Sequence, residues 1–430
     1  MPPPPPDYRT VRRYGYLVFG VICLSYVLAY FHRFCPAVLA LDMQEAFGAS
    51  GTLLGVLSSA YFYSYAVMQL PAGLLADSWG SRKTVSAFLL LAAAGSVLMA
   101  LAPNLGIAVV GRVLVGAGVS TLFACNFKLL SEWFTPSEFV TMGGIFMAVG
   151  GLGALSASSP LAWLSSLVGW RASLVGVGFV TLGMAALVFA FVRNRPQEKG
   201  WPPIRADAPG SQGPRIALWQ GMKEVLGSGR CWPISMWGFL VPGLSFALAG
   251  LWGGPYLIQV YGLSKQAAGT VLSMYSVGII VGSPVLSALS NRVGRKPILL
   301  GCSILCLAIS GLLWIAPAGL PISALYAVFF SLSFFGGAIG PVMAAVSKEL
   351  FPPAIAGTAV GTVNLFPFFG AALFQVLMGA IVSRPGAGDP ASAFAGVFLL
   401  SLCCAAAALV LALGLTETLP ASRRTRAPAA

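Results

Sequence analysis

The chain has 430 residues, of which 57% are hydrophobic and only 9% charged, and its formal net charge is +13. Soluble domains carry about 25% charged residues, so this composition excludes a water-soluble globular protein, which could not bury so much apolar surface. The positive charge does not indicate nucleic-acid binding, because the basic residues lie in separate loops between apolar runs.

Apolar runs of the length needed to cross a bilayer, about 20 residues, recur from one end of the chain to the other. We predict spans at 14–40, 52–76, 84–102, 106–134, 141–166, 172–192, 232–260, 267–290, 297–316, 321–350, 356–383 and 391–415. The pattern predicts an all-α membrane protein with twelve transmembrane helices in two pseudo-symmetric six-helix bundles. The expected divisions are a cytoplasmic leader (1–13), an N-terminal bundle (14–192), a cytoplasmic linker (193–231), a C-terminal bundle (232–415) and a cytoplasmic tail (416–430).

The distribution of basic residues predicts the orientation of these spans. Eighteen lie in loops on the side of the two termini, and three (Arg171, Lys265 and Arg384) lie on the other side. The positive-inside rule therefore places both termini in the cytoplasm and predicts a multi-pass protein of the inner (plasma) membrane. The eight cysteines lie in or beside the spans and are expected to pack as small apolar residues.

Two pairs of segments indicate an internal duplication. The sequence LADSWGSRK at 75–83 resembles LSNRVGRKP at 289–297, and SEWFTPS at 131–137 resembles KELFPPA at 348–354. The two offsets are similar, which favours two related halves. For two related six-helix halves we expect a substrate to bind between them, near the bilayer midplane.

The loop between the second and third spans contains Gly73, Asp77, Gly80, Arg82 and Lys83. This spacing resembles the signature of the major facilitator superfamily, although Ser78 replaces the usual basic residue. The resemblance implies the major facilitator fold and secondary transport. We expect these five residues to act in gating and conformational change, with Gly73 allowing close helix approach and Gly80 forming a tight turn.

The second copy of this signature has Asn291 in place of the aspartate and keeps Arg292, Gly294 and Arg295, for which we expect the same role. Arg112, in VVGRVLVGAG, is similar to the family's Arg-then-Gly motif of the fourth helix. A structural or gating role is favoured there over substrate contact.

Charged side chains within lipid cost about 2.5–3.5 kcal/mol on insertion scales, so each one suggests a function. None of the twelve acidic residues lies deep in a predicted span, but Arg33 and Lys128 do. At 1.5 Å per residue, Arg33 lies about 12 Å from the outer end of its span and Lys128 about 9 Å from the inner end of its own. Two cations facing one cavity would bind an anion. The alternative is that both bind backbone carbonyls or lie at water-exposed helix ends.

The segments YFHRFCPAVLALDM and NFKLLSEWF resemble the first and fourth helices of organophosphate:phosphate antiporters and anion:cation symporters, which carry basic residues at the positions of Arg33 and Lys128. Two departures matter. Phe246 holds the place of a second arginine in the phosphate antiporters, which weakens the case for a phosphate ester. His32 replaces an aspartate that often serves the symporters as proton carrier.

Because histidine titrates near neutral pH, His32 is a candidate for proton coupling to anion binding at Arg33. The alternative is a packed, hydrogen-bonded His32 in a uniporter or exchanger. The uncharged candidates for the substrate site are polar or aromatic residues within the spans: Tyr30, Tyr61, Tyr65, Asn126, Trp252, Tyr275 and Asn364. The phenylalanine cluster Phe366, Phe368 and Phe369 is interpreted as packing.

The function that we predict is secondary active transport of a small organic anion, such as a carboxylate or sugar acid, by alternating access coupled to protons or by exchange. The rivals are a drug or siderophore exporter, a peptide or amino-acid transporter, and, in another class, a ligand-sensing membrane receptor. We expect no enzymatic activity, no cofactor, no metal site and no nucleic-acid partner. The partners expected are an anionic substrate, the lipid bilayer and protons, and the protein is expected to be monomeric.

Overall fold

A computed structural model describes residues 8–204, 218–352, 354–384 and 389–419. The first half contains seven helices: α1 (Tyr8–Phe34), α2 (Pro36–Phe47), α3 (Gly51–Ser78), α4 (Ser81–Leu101), α5 (Leu105–Trp133), α6 (Pro136–Ser156) and α7 (Ser159–Phe191). A short 3-10 turn, Pro196–Lys199, and helix α8 (Leu218–Gly227) follow. The second half contains α9 (Cys231–Ala247), α10 (Gly253–Gln259), α11 (Lys265–Val293), α12 (Arg295–Ile315), α13 (Ile322–Ser331), α14 (Gly340–Leu350), α15 (Ala356–Val382) and α16 (Pro390–Gly414).

Several of the described spans are interrupted along their length. The first changes from α1 to α2 at Cys35, where Pro36 supplies no N–H donor to continue the helix. In the second half, π-helical segments at Leu248–Trp252 and Leu332–Gly337 join α9 to α10 and α13 to α14. Each pair of helices therefore forms one span with a local irregularity. π-Helical turns within helices are frequent at functional sites.

The described residues contain ten segments that are long and apolar enough to cross a membrane, and an eleventh if Gly51–Gln69 and Pro71–Ser78 count as one. One of the ten, Thr141–Phe191, has 51 residues, which is about 76 Å of helix against a hydrocarbon core of about 30 Å. It turns at Gly169, where φ is 80° and ψ is 162°. It therefore supplies two spans, which gives the twelve of the predicted fold.

The echoed glycines form the same turn in each half. Gly80 between α3 and α4 has φ 82° and Gly294 between α11 and α12 has φ 119°, a region that glycine enters without the strain of a Cβ. The amides that follow are capped from the end of each half: Arg82 N–H donates to Asn194 Oδ1 (2.9 Å) and Arg295 N–H to Glu417 Oε1 (3.0 Å). The third transmembrane helix of each half, α4 or α12, is therefore capped at its N-terminus in an equivalent way.

The amino-terminal helix begins earlier than predicted. It starts at Tyr8, within the segment predicted as a leader, and its Arg12 forms an ion pair with Glu138 at the start of α6. Partial burial raises the pKa of Glu138, but hydrogen bonds from Thr135 and the charge of Arg12 outweigh that effect, so its pKa lies below the ordinary value of 4.5. This contact ties the beginning of α1 to α6.

The remaining boundaries lie partly outside the described residues. Residues 1–7 of the predicted leader, 205–217 of the predicted linker and 420–430 of the predicted tail belong to that part. The described portion of the linker contains α8, which packs against α9 and α15. The halves meet where α3 packs against α15 and where α6 and α7 pack against α11. We call the end of the molecule with Tyr8, Gly80 and Gly294 the terminal end, and the opposite end the far end.

Candidate functional site

A cavity of about 370 Å³ lies between the two halves. Its wall is formed by α1, α3, α5 and α6 of the first half and by α9, α11, α14 and α15 of the second. Next to it, toward the terminal end, lies a vestibule of about 380 Å³ that includes Asp77 and Met222. The two spaces share Phe123, Val360 and Asn364 in their walls, so the cavity leads toward the terminal end.

Arg33 is buried in the wall of this cavity, with 2% of its surface exposed. Four aromatic rings surround its guanidinium: the Cζ atom lies 4.7 Å from the ring centre of Tyr30, 5.0 Å from Tyr65, 5.8 Å from Phe246 and 5.0 Å from Phe368. These distances are those of cation–π contacts. Two rings come from each half, so Arg33 lies at the boundary between them.

The guanidinium of Arg33 retains unused donors. Its Nε and Nη2 atoms are buried and have no hydrogen-bond partner among the described residues. A buried charged donor without an acceptor is costly, and aromatic faces offset only part of that cost. An oxyanion would supply two acceptors to a planar guanidinium, so Arg33 is chemically suited to bind a carboxylate, sulfonate or phosphate.

Lys128 does not join Arg33 in the cavity wall. Its Nζ donates to Asp77 Oδ1 at 2.6 Å and to the carbonyl of Ala76 at 2.8 Å, and 35% of its side chain is exposed. The expectation of two cations facing one cavity is therefore corrected, because Lys128 does not line the cavity and its Nζ is held instead by Asp77, a residue of the vestibule wall. There it bridges α5 to α3, and its charge is balanced by Asp77.

His32 also points away from the cavity. It is 1% exposed and its Nε2 lies 3.1 Å from Thr181 Oγ1 on α7. Arg112 Nη1 donates to the backbone carbonyl of His32 at 2.7 Å, and its guanidinium lies 4.6 Å from the ring centre of Tyr61. Arg112 thus ties α5 to α1. The role of His32 in proton coupling stays a prediction, and its side chain does not line the cavity in this conformation.

Of the other predicted substrate residues, Tyr30, Tyr65 and Asn364 line the cavity. Four lie elsewhere, engaged in packing contacts. The hydroxyl of Tyr61 donates to Ala29 O, the amide of Asn126 to Ile22 O, and the indole of Trp252 to Gln375 O, while the hydroxyl of Tyr275 lies 2.8 Å from Ser245 Oγ. These contacts hold helices together, and the four residues do not line the cavity in this conformation, although the hydroxyl of Tyr61 also lies beside Arg33. Their predicted contact with substrate stays a prediction.

The sequence also failed to assign several cavity residues. Phe368, interpreted as packing, stands beside Arg33 and belongs to the wall. Ile279 and Met343 line it as well, and so does Tyr26, a weaker candidate from the sequence. Only Tyr26 carried a signal, since it lies four residues before Tyr30 and shares its helix face. The apolar residues are indistinguishable in sequence from those that face lipid.

The signature residues lie at the terminal end with varied contacts. A Cβ at Gly73 would meet nothing within 4 Å, so Gly73 borders the vestibule and makes no close helix contact in this conformation. Arg82 Nε donates to Phe189 O at 2.8 Å, and Arg295 pairs with Glu349 at 3.1 Å. Lys83 and Arg292 are exposed. Their gating role stays a prediction.

The far end is closed by direct backbone contact between the halves. A Cβ added at Gly254 would overlap the carbonyl oxygen of Ala37, and one at Gly55 would overlap that of Gln375. Only glycine permits such close approach. We call this contact the glycine seam; it comprises Gly51, Gly55, Gly254 and Gly379.

An ion pair reinforces the seam. Lys265, the first residue of α11, donates to both carboxylate oxygens of Asp42 on α2, at 2.7 and 2.6 Å. These two residues belong to different halves. With the far end closed and the vestibule leading to the terminal end, the structure represents one of the two states expected of an alternating carrier.

Several known proteins of similar sequence are named as membrane transporters, and one, UhpC of Salmonella typhimurium, is named as a membrane sensor protein (24% identical over 384 residues, covering 85% of this chain and 84% of that protein). Over 402 residues the chain is 26% identical to the probable sulfoacetate transporter SauU of Cupriavidus necator, covering 89% of this chain and 91% of that protein. It is 23% identical over 419 residues to the probable galactarate/D-glucarate transporter GudP of Escherichia coli, covering 92% of each.

The fold is also similar to that of solved transporter structures. A bacterial homologue of the human lysosomal transporter Spinster, in an inward-facing and unoccupied conformation, superimposes with a TM-score of 0.73 at 16% identity, over 97% of this chain and 99% of that one. The sequence profile of the Major Facilitator Superfamily matches residues 22–268 and 244–430. The chain is therefore a multi-pass membrane transporter of the Major Facilitator Superfamily.

Proposed function

We propose that this protein is a secondary active transporter that moves a small organic anion across the inner membrane by alternating access. The observation that carries the proposal is the buried guanidinium of Arg33, which lines the cavity between the halves with two unused donors. No acidic side chain lines that cavity among the described residues. A cation without a counter-ion in a low-dielectric space attracts an anion.

The relatives support the same class of substrate. SauU is named for sulfoacetate, and GudP for galactarate and D-glucarate. All three compounds are organic anions, although they differ in size and hydroxylation. The names therefore support an organic anion without selecting one for this chain.

The distribution of basic residues supports a cytoplasmic location for both termini. With that orientation the terminal end faces the cytoplasm, and the conformation described above is inward-facing. Transport then requires the seam at the far end to open while the vestibule closes, by rocking of the two six-helix bundles about the cavity.

The rival substrates fit this cavity less well. A lipophilic cation would be repelled by Arg33. The ammonium group of a peptide or amino acid would require a carboxylate partner, which the described cavity wall does not supply. A sensor would bind an anion at the same place without moving it. Flux measurements separate that possibility from transport.

The decisive experiment is uptake of organic anions into proteoliposomes, following a thermal-shift screen for ligands. Arg33→Ala should abolish both the shift and the uptake, and Arg33→Lys should retain weak activity, because lysine keeps the charge but loses the bidentate geometry. Lys128→Ala is the matched control and should leave ligand affinity within about twofold, since its charge is already paired with Asp77.

Three outcomes would contradict parts of this proposal. Normal transport by Arg33→Ala would remove the anion site from Arg33. Ligand binding without flux would favour the sensor. For coupling, the ratio of protons to substrate should be measured in the His32→Asn variant: an unchanged ratio above zero excludes His32 as the proton carrier, and a ratio of zero in the unaltered protein favours exchange.

A further inference from the structure

The walls of the cavity differ sharply in chemistry between the two halves. The first half contributes Arg33 and the hydroxyl-bearing rings of Tyr26, Tyr30 and Tyr65, together with the apolar side chains of Phe123, Phe127 and Met147. Among described residues, Arg33 is the only charged side chain that lines the space. One guanidinium can pair fully with one oxyanion, so a second anionic group on the same ligand would remain unpaired within a low-dielectric cavity.

The second half offers almost no polar group. Its wall contains Phe246, Phe368, Ile279 and Met343, together with prolines and alanines. The rings of Phe246 and Phe368 lie nearly parallel, 6.1 Å apart at 22°. This wall is therefore suited to an apolar surface.

Each of the two polar side chains in the described part of that wall already makes one hydrogen bond. Ser283 Oγ donates to the carbonyl of Ala338 at 3.2 Å, and Asn364 Nδ2 donates to Gln69 Oε1 at 3.4 Å. A ligand carrying many hydroxyl groups would lose water from each of them and find few replacement partners. Such unmade hydrogen bonds are costly.

We infer that the substrate is a monoanion with an apolar body, such as an aryl or branched aliphatic carboxylate or sulfonate. Its oxyanion binds Arg33, assisted by the tyrosine hydroxyls, and its body lies against Phe246 and Phe368. This inference rests on the proposed function and narrows it. It separates the chain from relatives named for dicarboxylic sugar acids, because the described cavity wall supplies no second cation and its second-half side offers few partners for hydroxyl groups.

Three probes of matched size test the charge and the body separately: 3-phenylpropanoate, D-gluconate and the uncharged 3-phenylpropan-1-ol. Their affinities for the purified full-length protein are measured by isothermal titration calorimetry, and competition is confirmed in proteoliposomes. The discrimination that a hydrophobic pocket exerts against one added hydroxyl is limited to about 100-fold, and a tenfold preference lies within that limit. We expect 3-phenylpropanoate to bind at least about tenfold more tightly than either other probe.

A pair of variants assigns the preference to the apolar wall. Met343→Gln keeps the length of the side chain and adds an amide, whereas Met343→Leu keeps it apolar. We expect the glutamine variant to weaken 3-phenylpropanoate about fivefold without weakening D-gluconate, and the leucine variant to weaken 3-phenylpropanoate less than the glutamine variant does, because it keeps the wall apolar. Ile279→Thr, which introduces a hydroxyl at nearly constant volume, provides a second test should Met343→Gln fail to fold.

The outcomes distinguish this inference from the function beneath it. Tight binding and transport of D-gluconate, with little response to 3-phenylpropanoate, would overturn the apolar body and leave organic-anion transport intact. Equal binding of 3-phenylpropan-1-ol and 3-phenylpropanoate would show that charge is not recognised and would overturn both. Equal effects of Met343→Gln on 3-phenylpropanoate and D-gluconate would reject the assignment of the preference to this wall.

Discussion

The ion pair between Asp42 and Lys265 should bias the protein toward the conformation described here. Both carboxylate oxygens accept from the ammonium at 2.7 and 2.6 Å, and the pair joins the two halves at the far end. Opening that end must separate the charges, because α2 and α11 belong to different bundles. Asp42→Asn keeps the side-chain volume and removes the charge, so it tests the electrostatic contribution alone.

The magnitude follows from the exposure of the pair. The side chain of Lys265 is 21% exposed and that of Asp42 is 27% exposed, so the pair is neither fully solvated nor deeply buried. Exposed pairs contribute about 0.2–1 kcal/mol, and the bidentate geometry favours the upper end, about 1 kcal/mol. Since 1.4 kcal/mol corresponds to about a tenfold change in an equilibrium, Asp42→Asn should raise the ratio of far-end-open to far-end-closed protein about fivefold.

Double electron–electron resonance can measure this ratio. Spin labels on Ala46→Cys and Gln266→Cys, both exposed positions near the pair, report the separation of the halves, with the exposed Cys403 replaced by serine. Asp42→Asn should enlarge the long-distance population. The double swap Asp42→Lys with Lys265→Asp should restore the original distribution.

High salt should mimic the substitution in part, because it screens partly exposed charges. An unchanged distance distribution in Asp42→Asn would refute the reasoning, and so would a double swap that behaves like the single variant. Either result would mean that the seam closes without help from the ion pair.

Three further predictions concern other contacts. Gly254→Ala should favour the far-end-open state, because its methyl group would overlap the carbonyl of Ala37; Gly301→Ala, whose Cβ would meet nothing within 4 Å, is the control and should change neither the distances nor transport. Gln375→Leu should favour the closed state in the same spin-label assay, because both polar atoms of the buried amide lack partners in this conformation, at a cost of about 1–3 kcal/mol; a shift toward the open state would contradict this. The lowered pKa of Glu138 means that its contribution to stability is complete above its unfolded value of about 4.5 and is lost as the pH falls through the lower folded value. Glu138→Gln should therefore reduce the loss of melting temperature between pH 7 and pH 4, and an unchanged loss would assign that pH dependence to other groups.

The twelve-helix fold was accessible from the sequence because each span carries its own signal. A run of apolar residues specifies a membrane helix without reference to its neighbours, and the echoed segments around Gly80 and Gly294 located the same turn in both halves. The turn at Gly169 was also predictable as a break between two apolar runs. These features depend on local sequence, which explains their success.

The site was predicted less completely because it depends on how helices rotate and pair. Arg33 stood out as an isolated charge in an apolar run. The partner of Lys128 was not evident, since Asp77 lies 51 residues away and meets it only when α3 packs on α5. Tyr61 and Tyr65 share a helix face by spacing, yet only Tyr65 reaches the cavity.

The phenylalanines of the cavity gave no usable signal. Phe368 lies in an apolar run and cannot be distinguished in the sequence from phenylalanines that face lipid. Only the three-dimensional arrangement brings it to the guanidinium of Arg33. His32 illustrates the converse: its chemistry suggested a function, but the turn of α1 directs its ring to Thr181. Side-chain direction within a bundle is a property of the packed structure and not of the local pattern.

The glycine seam separates two requirements that a carrier must satisfy. Closure of the far end is made by backbone atoms, whereas the proposed substrate site is formed by side chains that line the central cavity. Residues such as Met343 and Ile279 can therefore be exchanged to redirect selectivity without disturbing the surfaces that shut. The same pair of bundles can therefore carry chemically different substrates, provided that the four seam positions remain glycine.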